Sequence, residues 1–304
     1  MTEPRLGRVV QHHGQHAVLE QDPGTFVRCT RRRKSDRVVC GDWVRWTPTG
    51  AGEGVIVERL PRRNLLERPD AQGRPRAVAA NVDRLFLVLA PRPEWHPGLV
   101  DRYLVAAEHA AMAPVLVLNK IDLLDADGRA AQLERLAPWK AAGYPVVAVS
   151  AHRPETLAPL QEAARGHTSI LVGQSGVGKS SLVNALVPDL EVRTGAISAA
   201  SGLGRHTTTE TTLYHLPGGG DLIDSPGVRD FRPWHLDEKA LDQAYPEFRP
   251  WLGHCRFNDC RHLDEPGCAV RAAAESGRID PGRYARYRQL YEQLRDMRRR
   301  QQGF

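Results

Sequence analysis

Long apolar runs are missing from this chain of 304 residues. The longest, Leu85 to Ala90 and Ala113 to Leu118, fall far short of the ~18 residues that a bilayer-spanning helix needs, which excludes a transmembrane protein and predicts no membrane contact. No apolar segment follows Met1 to Arg5, so nothing marks a secretory leader and a cytoplasmic location is expected. Cysteine is scarce. Five residues in such a compartment argue against a disulfide framework, and the clustering of three of them between 255 and 268 points to a metal instead. Lysine is equally rare, five among 42 basic residues, so the placement of Lys34, Lys120, Lys140, Lys179 and Lys239 is informative. Internal repeats and low-complexity tracts are absent, and no dimer seam is evident, so a monomer is expected.

The remainder is globular in composition, 41% hydrophobic and 26% charged, and its length predicts two or three domains. The net charge of +6 is unevenly spread. Residues 1–60 hold ten basic against seven acidic side chains and residues 271–304 nine against four, while 61–270 hold 23 against 25. Basic ends flanking a neutral middle suggest that the ends meet a polyanion.

Five short β-like runs in the first 60 residues, at 7–10, 16–19, 26–29, 42–46 and 54–57, predict a small OB-type β-barrel. Cys29 and Cys40 fit its core. Arg31, Arg32, Arg33 and Lys34 fall in a loop between strands, where such barrels hold nucleic acid by positive charge and aromatic stacking. Residues 61–80, rich in proline and arginine, read as a linker. Beyond them, buried-type strands at 85–90, 115–118, 146–149, 169–172 and 221–223 alternate with helix-like stretches at 99–112, 129–142 and 179–187. Continuous apolar strands separated by helices predict a parallel sheet in an α/β domain. The last stretch is mainly helical. Asp280 and Pro281 open its final helix, in which Tyr284, Tyr287, Tyr291 and Leu294 recur on one side and arginines occupy the others. The predicted domains are 1–65, 75–233 and 236–304.

Gly173-Gln174-Ser175-Gly176-Val177-Gly178-Lys179-Ser180, followed by Ser181, is a G-x-x-x-x-G-K-S phosphate loop between a strand and a helix. Its backbone N–H groups can curl around phosphate, Lys179 can reach the β and γ oxygens, and Ser180 can bind Mg²⁺. Asn119-Lys120-Ile121-Asp122 ends an earlier strand. The Asp122 carboxylate can accept from both N1–H and the exocyclic amine of guanine, a donor pair that adenine lacks. Ser150 and Ala151, ending the next strand, look like the small-residue loop that backs the base. Asp224-Ser225-Pro226-Gly227 matches D-x-x-G, with Asp224 toward Mg²⁺ and Gly227 toward the γ-phosphate. In the Gly- and Thr-rich loop 204–209, Thr208 is the preferred Mg²⁺ ligand, with Thr207 close behind. Val228 stands where many GTPases carry a water-orienting glutamine, so hydrolysis should be slow in isolation, and His206 is the candidate for the missing polar group.

The order of these motifs is unusual. The base-selecting segments at 119 and 150 precede the phosphate loop at 173, which reads as a circular permutation and places the C-terminal domain directly after the switch that follows Asp224. Cys255, Cys260, His262 and Cys268 form C-x₄-C-x-H-x₅-C, a closed tetrahedral set for one structural Zn²⁺, with His254 a rival ligand. Four protein ligands leave no open position for zinc-dependent hydrolysis.

Through the permuted order, the G-R-H-T-T-T loop, D-S-P-G-V and the Cys/His motif, the chain resembles the circularly permuted small-ribosomal-subunit biogenesis GTPases of bacteria, the RsgA (YjeQ) family. The resemblance covers nearly the whole chain. It implies an OB-fold that binds ribosomal RNA, a GTPase core using GTP with Mg²⁺ and releasing GDP, a zinc domain, and slow hydrolysis stimulated by the 30S subunit late in its maturation. Lys179, His206 and Gly227 are the expected catalytic residues. The alternative is a GTP-responsive module binding 16S rRNA, in which hydrolysis is incidental.

Overall fold

Five strands close on themselves at the N-terminus: β1 (Arg5–His13), β2 (His16–Asp22), β3 (Thr25–Arg31), β4 (Trp43–Gly50) and β5 (Glu53–Arg59). A computed structural model describes residues 3–31, 37–69, 74–188, 190–201, 211–225 and 240–301 of the chain. The strands pair in the order β1-β2-β3-β5-β4, with β3 parallel to β5, and β4 returns to β1. This is the barrel expected from the sequence. Alternation along the strands turns Val9, Val27, Cys29, Val44, Trp46 and Ile56 inward, and closure leaves no unpaired edge around them.

The stretch read as a linker is structured. β6 (Leu65–Pro69) and β7 (Pro75–Ala80) form an antiparallel ribbon, anchored by the buried Leu66, Ala79 and Ala80 and by a bridge between Ala79 and Cys40. Its prolines sit at the strand ends, where no ladder hydrogen bond is lost.

The α/β domain runs β8 (Arg84–Leu89), α1 (Pro97–His109), β9 (Ala113–Leu118), α2 (Ala126–Arg135), α3 (Ala137–Ala141), β10 (Val146–Ala148), α4 (Ala158–Ala164), β11 (Thr168–Val172), α5 (Lys179–Leu186), α6 (Leu190–Ser201), β12 (Thr212–His215) and β13 (Asp221–Asp224). Five strands, in the order β10-β9-β8-β11-β13, are parallel, as their continuous apolar runs imply. The whole of β8 from Leu85 to Leu89 is buried, each such side chain contributing about 1.5–3 kcal/mol. The region read as one helix at 129–142 divides at Leu136, because Pro138 has no N–H to give to the Glu134 carbonyl. β12 was not read from the sequence; it runs antiparallel to β13 and also meets β1, with Gln11 opposite Thr212. Barrel and α/β sheet therefore form one continuous run of 11 strands.

Two helices dominate the C-terminal region, α7 (Ala269–Glu275) and α8 (Pro281–Gln301). Asp280 caps α8 by accepting from the Arg283 N–H at 2.7 Å. Tyr284, Tyr287, Leu290, Tyr291 and Leu294 line the buried side of α8 and pack with Tyr245 and Phe248, and Val105 of α1 joins the same core. Arg283 and Arg286 depart from the expectation that the C-terminal arginines face a polyanion: both turn inward onto Asp101 of α1.

Candidate nucleotide site and metal cluster

The phosphate loop leaves β11 and turns into α5, as its strand-loop-helix setting predicts. At Gly173 (φ +140°) a Cβ would lie 2.3 Å from the Val88 carbonyl oxygen, so only glycine lets the loop pass this close to β8. At Gly178 (φ +92°) a Cβ would lie 2.5 Å from Asn119 Nδ2. That glycine admits a side chain from a distant motif. Asn119 Nδ2 donates to the Val177 carbonyl at 2.9 Å, and Lys120 Nζ donates to the Gly176 carbonyl at 2.5 Å and to Arg92 O at 3.1 Å. Ile121 is buried beneath this turn. Lys179 Nζ folds back over the loop, donating to the carbonyls of Gly173 and Gln174 at 2.7 Å each. Ser175, Gly176, Ser180 and Ser181 are exposed around it.

Asp122 and Ser150 also meet. The buried Ser150 hydroxyl donates to Asp122 Oδ1 at 2.5 Å and lowers the pKa of that carboxylate. Ser150 is itself held by its N–H, which donates to Thr156 Oγ1 at 2.8 Å, and Ala151 follows it, half-buried. Thr156 was missed by the sequence reading, since its role depends on a turn of six residues with no motif of its own. At the end of β13, burial pushes the Asp224 carboxyl up while the nearby Lys179 charge pulls it down. Thr211 Oγ1 and Ser225 Oγ lie 2.9 Å apart and join the two segments that flank it. His206, Thr207, Thr208, Gly227 and Val228 lie outside the described residues, as do Arg32, Arg33 and Lys34. Arg31 ends β3 with its guanidinium on the Gly14 carbonyl.

The four expected metal ligands converge, their donor atoms all within 4.8 Å of one another. His262 Nδ1 lies 3.5 Å from the sulfurs of both Cys255 and Cys268. Bond lengths of about 2.3 Å to sulfur and about 2.0–2.1 Å to nitrogen give a tetrahedron edge near ~3.6 Å, so the donor set fits Zn²⁺. Outer contacts orient it. His262 Nε2 faces Asp242 Oδ2 at 3.4 Å, and the N–H groups of Ala269 and Arg271 donate to the sulfurs of Cys255 and Cys268. Tyr284 and Tyr287 of α8 donate their hydroxyls to the carbonyls of His262 and Arg261. His254 is not part of the cluster.

The RsgA GTPase family model matches residues 59–234. The small ribosomal subunit biogenesis GTPase RsgA of Pseudomonas aeruginosa (strain LESB58) is 49% identical over 286 residues, covering 94% of this chain and 84% of that protein. The chain belongs to the RsgA GTPase family. The RsgA of Azotobacter vinelandii is likewise 49% identical over 292 residues, 95% of this chain and 85% of its own length. Among solved structures, YjeQ from Thermotoga maritima superposes with a TM-score of 0.77 at 34% identity, covering 96% of this chain and 98% of that one. YloQ, described as a circularly permuted GTPase, gives 0.77 at 27% identity and 96% coverage of both. Circular permutation is thus described for a solved structure that this chain matches over nearly its whole length.

Proposed function

We propose that this protein is a guanosine triphosphatase of small ribosomal subunit biogenesis, which binds the 30S subunit through 16S rRNA and hydrolyses GTP slowly alone and faster on the subunit. The observation that carries the reading is the pair of bonds from Asn119 to the Val177 carbonyl and from Lys120 to the Gly176 carbonyl, which tie the base-selecting loop to the phosphate loop despite the permuted order. Asp122, oriented by the Ser150 hydroxyl, selects guanine, and Ala151 backs the base. Gly173 to Ser181 hold the phosphates, and Lys179 exchanges two loop carbonyls for β and γ oxygens.

Mg²⁺ bound with GTP supplies positive charge to the phosphate oxygens, and Ser180, Thr208 and Asp224 are the residues that would hold it. Asp224, raised by burial, gains from any added cation beside it. At the Cys255, Cys260, His262 and Cys268 cluster the fitting ion is one structural Zn²⁺, which ties the loop to α7 and α8. In catalysis His206 supplies the polar group that Val228 lacks, with Lys179 and Gly227 stabilising the transferring phosphoryl group. Arg31, Arg32, Arg33 and Lys34 serve the RNA contact. The working units are 1–65, 75–233 and 236–304 of a cytoplasmic monomer; among the described residues no helix is long and apolar enough to cross a membrane.

GTP turnover measured with and without 30S subunits, alongside calorimetry with GTP and ATP, tests this. Stimulation by the subunit and a strong preference for GTP are expected. Equal affinity for ATP, or turnover indifferent to the subunit, would overturn the reading. Undiminished stimulation in His206→Ala would remove only the catalytic role of that residue.

A further inference from the structure

The loop that backs the base is held by one hydroxyl. Ser150, just past the end of β10, is fully buried, so its N–H cannot turn to water, and the partner it finds is Thr156 Oγ1 at 2.8 Å. Thr156 gives its own proton to the Arg153 carbonyl at 2.7 Å, with the Ser150 carbonyl farther off at 3.3 Å, which leaves its oxygen lone pairs free to accept. A tight turn fixes that oxygen in place. Pro154–Thr156 form one 3₁₀ turn, in which the Arg153 N–H donates to the Ser150 carbonyl at 3.0 Å and the Thr156 N–H to the Arg153 carbonyl at 2.9 Å, and the buried Leu157 anchors its end. From there the chain runs through α4 and β11 into the phosphate loop, a path that follows from the permuted order. Ser150 passes the constraint on: its Oγ accepts from the His152 N–H at 3.1 Å and donates to Asp122 Oδ1 at 2.5 Å. With its proton committed to Asp122 and a lone pair to His152, the serine hydroxyl holds the carboxylate from one direction.

We propose that Thr156 is a positioning residue for guanine selection, fixing the Ser150 hydroxyl and through it the plane of the Asp122 carboxylate. The inference rests on the reading of this pocket as a guanine site and adds to it a residue outside its motifs. Asp122 accepts from both guanine donors when its two oxygens lie in the base plane, and a carboxylate rotated out of that plane keeps one bond at best. Without the Thr156 hydroxyl the Ser150 N–H is buried and unpaired, a cost that the loop relieves by moving toward water. That movement carries Ser150 Oγ away from Asp122 and frees the carboxylate to rotate. The phosphate loop is held by a separate route, through Asn119 and Lys120, so loss of Thr156 acts on the base rather than on the phosphates.

The test compares full-length protein with Thr156→Val, which keeps the branched shape and removes the hydroxyl, and Thr156→Ser, which keeps the hydroxyl. The probes are GTP and inosine triphosphate (ITP), whose base lacks the exocyclic amine and so reports one of the two Asp122 bonds, with ATP as the control. In Thr156→Val, GTP affinity should fall about tenfold and ITP affinity by less, so that the GTP-to-ITP ratio narrows. In turnover the loss should fall on KM rather than kcat, the mark of a contact made equally in the ground and transition states. Thr156→Ser should restore both affinity and ratio. In a Ser150→Ala background, Thr156→Val should narrow the ratio no further, since the route to Asp122 is already cut. A Thr156→Val protein with the wild-type ratio overturns the proposal, whether through unchanged affinities or through an equal loss for GTP and ITP, which marks a merely structural hydroxyl. Additive narrowing in the Ser150→Ala background overturns it as well. Thr156→Ala serves the same comparison if the valine variant does not fold. Wild-type protein that binds ATP as tightly as GTP sinks the guanine reading and this inference with it, whereas a wild-type preference for GTP with an unmoved ratio in Thr156→Val removes the inference alone.

Discussion

Arg283 of α8 and Asp101 of α1 form an ion pair sealed from water: Nη1 donates to Oδ1 at 2.5 Å, and the side chains are 1% and 2% exposed. Asp101 also accepts from Trp139 Nε1 and Arg286 Nε, while Arg283 Nε donates to Glu247 Oε1 at 2.6 Å and its guanidinium lies 4.7 Å from the Tyr245 ring centre. Asp101 thus gathers Arg283 and Arg286 of α8 and Trp139 around one carboxylate. The C-terminal region is thereby held against the helix that leads into β9 and the Asn119 turn.

Removing one member of that pair strands the other charge. Arg283→Met should cost about 3–5 kcal/mol of stability, read from urea unfolding. Arg283→Lys should recover only part of it, since an ammonium cannot present the planar fork that now serves both Asp101 and Glu247. A loss below about 1 kcal/mol for Arg283→Met, the range of exposed pairs, would show that the joint is open to solvent.

A second joint is pH-sensitive. His215 of β12 binds Asp221 through Nδ1 and Glu20 of the barrel through Nε2, each at 2.6 Å, and these hydrogen bonds raise its pKa to about 9. Because the folded value exceeds the unfolded one near ~6.5, this contribution is complete below that pH and is lost as pH rises through about 9. Tm should therefore decline across that interval, with a shallow slope because the ring is 45% exposed and screened. His215→Gln should lower Tm at pH 7 and flatten the dependence. An identical decline in wild type and variant would assign it elsewhere.

Asp122→Asn should weaken GTP binding by about 100-fold or more and favour xanthosine triphosphate, whose C2 carbonyl can accept from the new amide where guanine would donate. Ser150→Ala should have a smaller effect in the same direction, because Asp122 then loses the hydroxyl that orients it. Competition binding with both nucleotides checks this. Unchanged preference in Asp122→Asn would place the base elsewhere.

Metal analysis of purified protein should find one zinc per chain. Chelation should abolish the near-UV signal of the Tyr245, Phe248, Tyr284 and Tyr287 cluster, since the ligand loop and α8 share that core, while GTP binding largely survives. Retained aromatic signal after complete metal removal would show that the core stands without the ion.

The elements legible in the sequence were those whose pattern is local. Strand alternation gave the barrel, continuous apolar runs gave the parallel sheet, and motif spacing set the Asn119 turn beside the phosphate loop and gathered the four metal ligands. What was missed depends on distant partners. The ribbon at 65–80 looked like a linker because prolines and arginines dilute its apolar face, and only docking on Cys40 and the barrel makes Ala79 and Ala80 core residues. β12 has just four residues and takes its place from β13 and β1. Arg283 looked like one more arginine of a basic helix, and nothing near it in sequence signals that Asp101, far away in the chain, receives it.

The shared ladder from β12 to β1 bears on how the molecule can be dissected. Excising residues 1–60 would remove the partner of Thr212 on β12, along with Arg8 from Asp221 and Glu20 from His215. An isolated nucleotide-binding core would then present bare main-chain donors and acceptors to its own copies, a template for self-association. The excised core is therefore expected to self-associate more readily than the full-length protein.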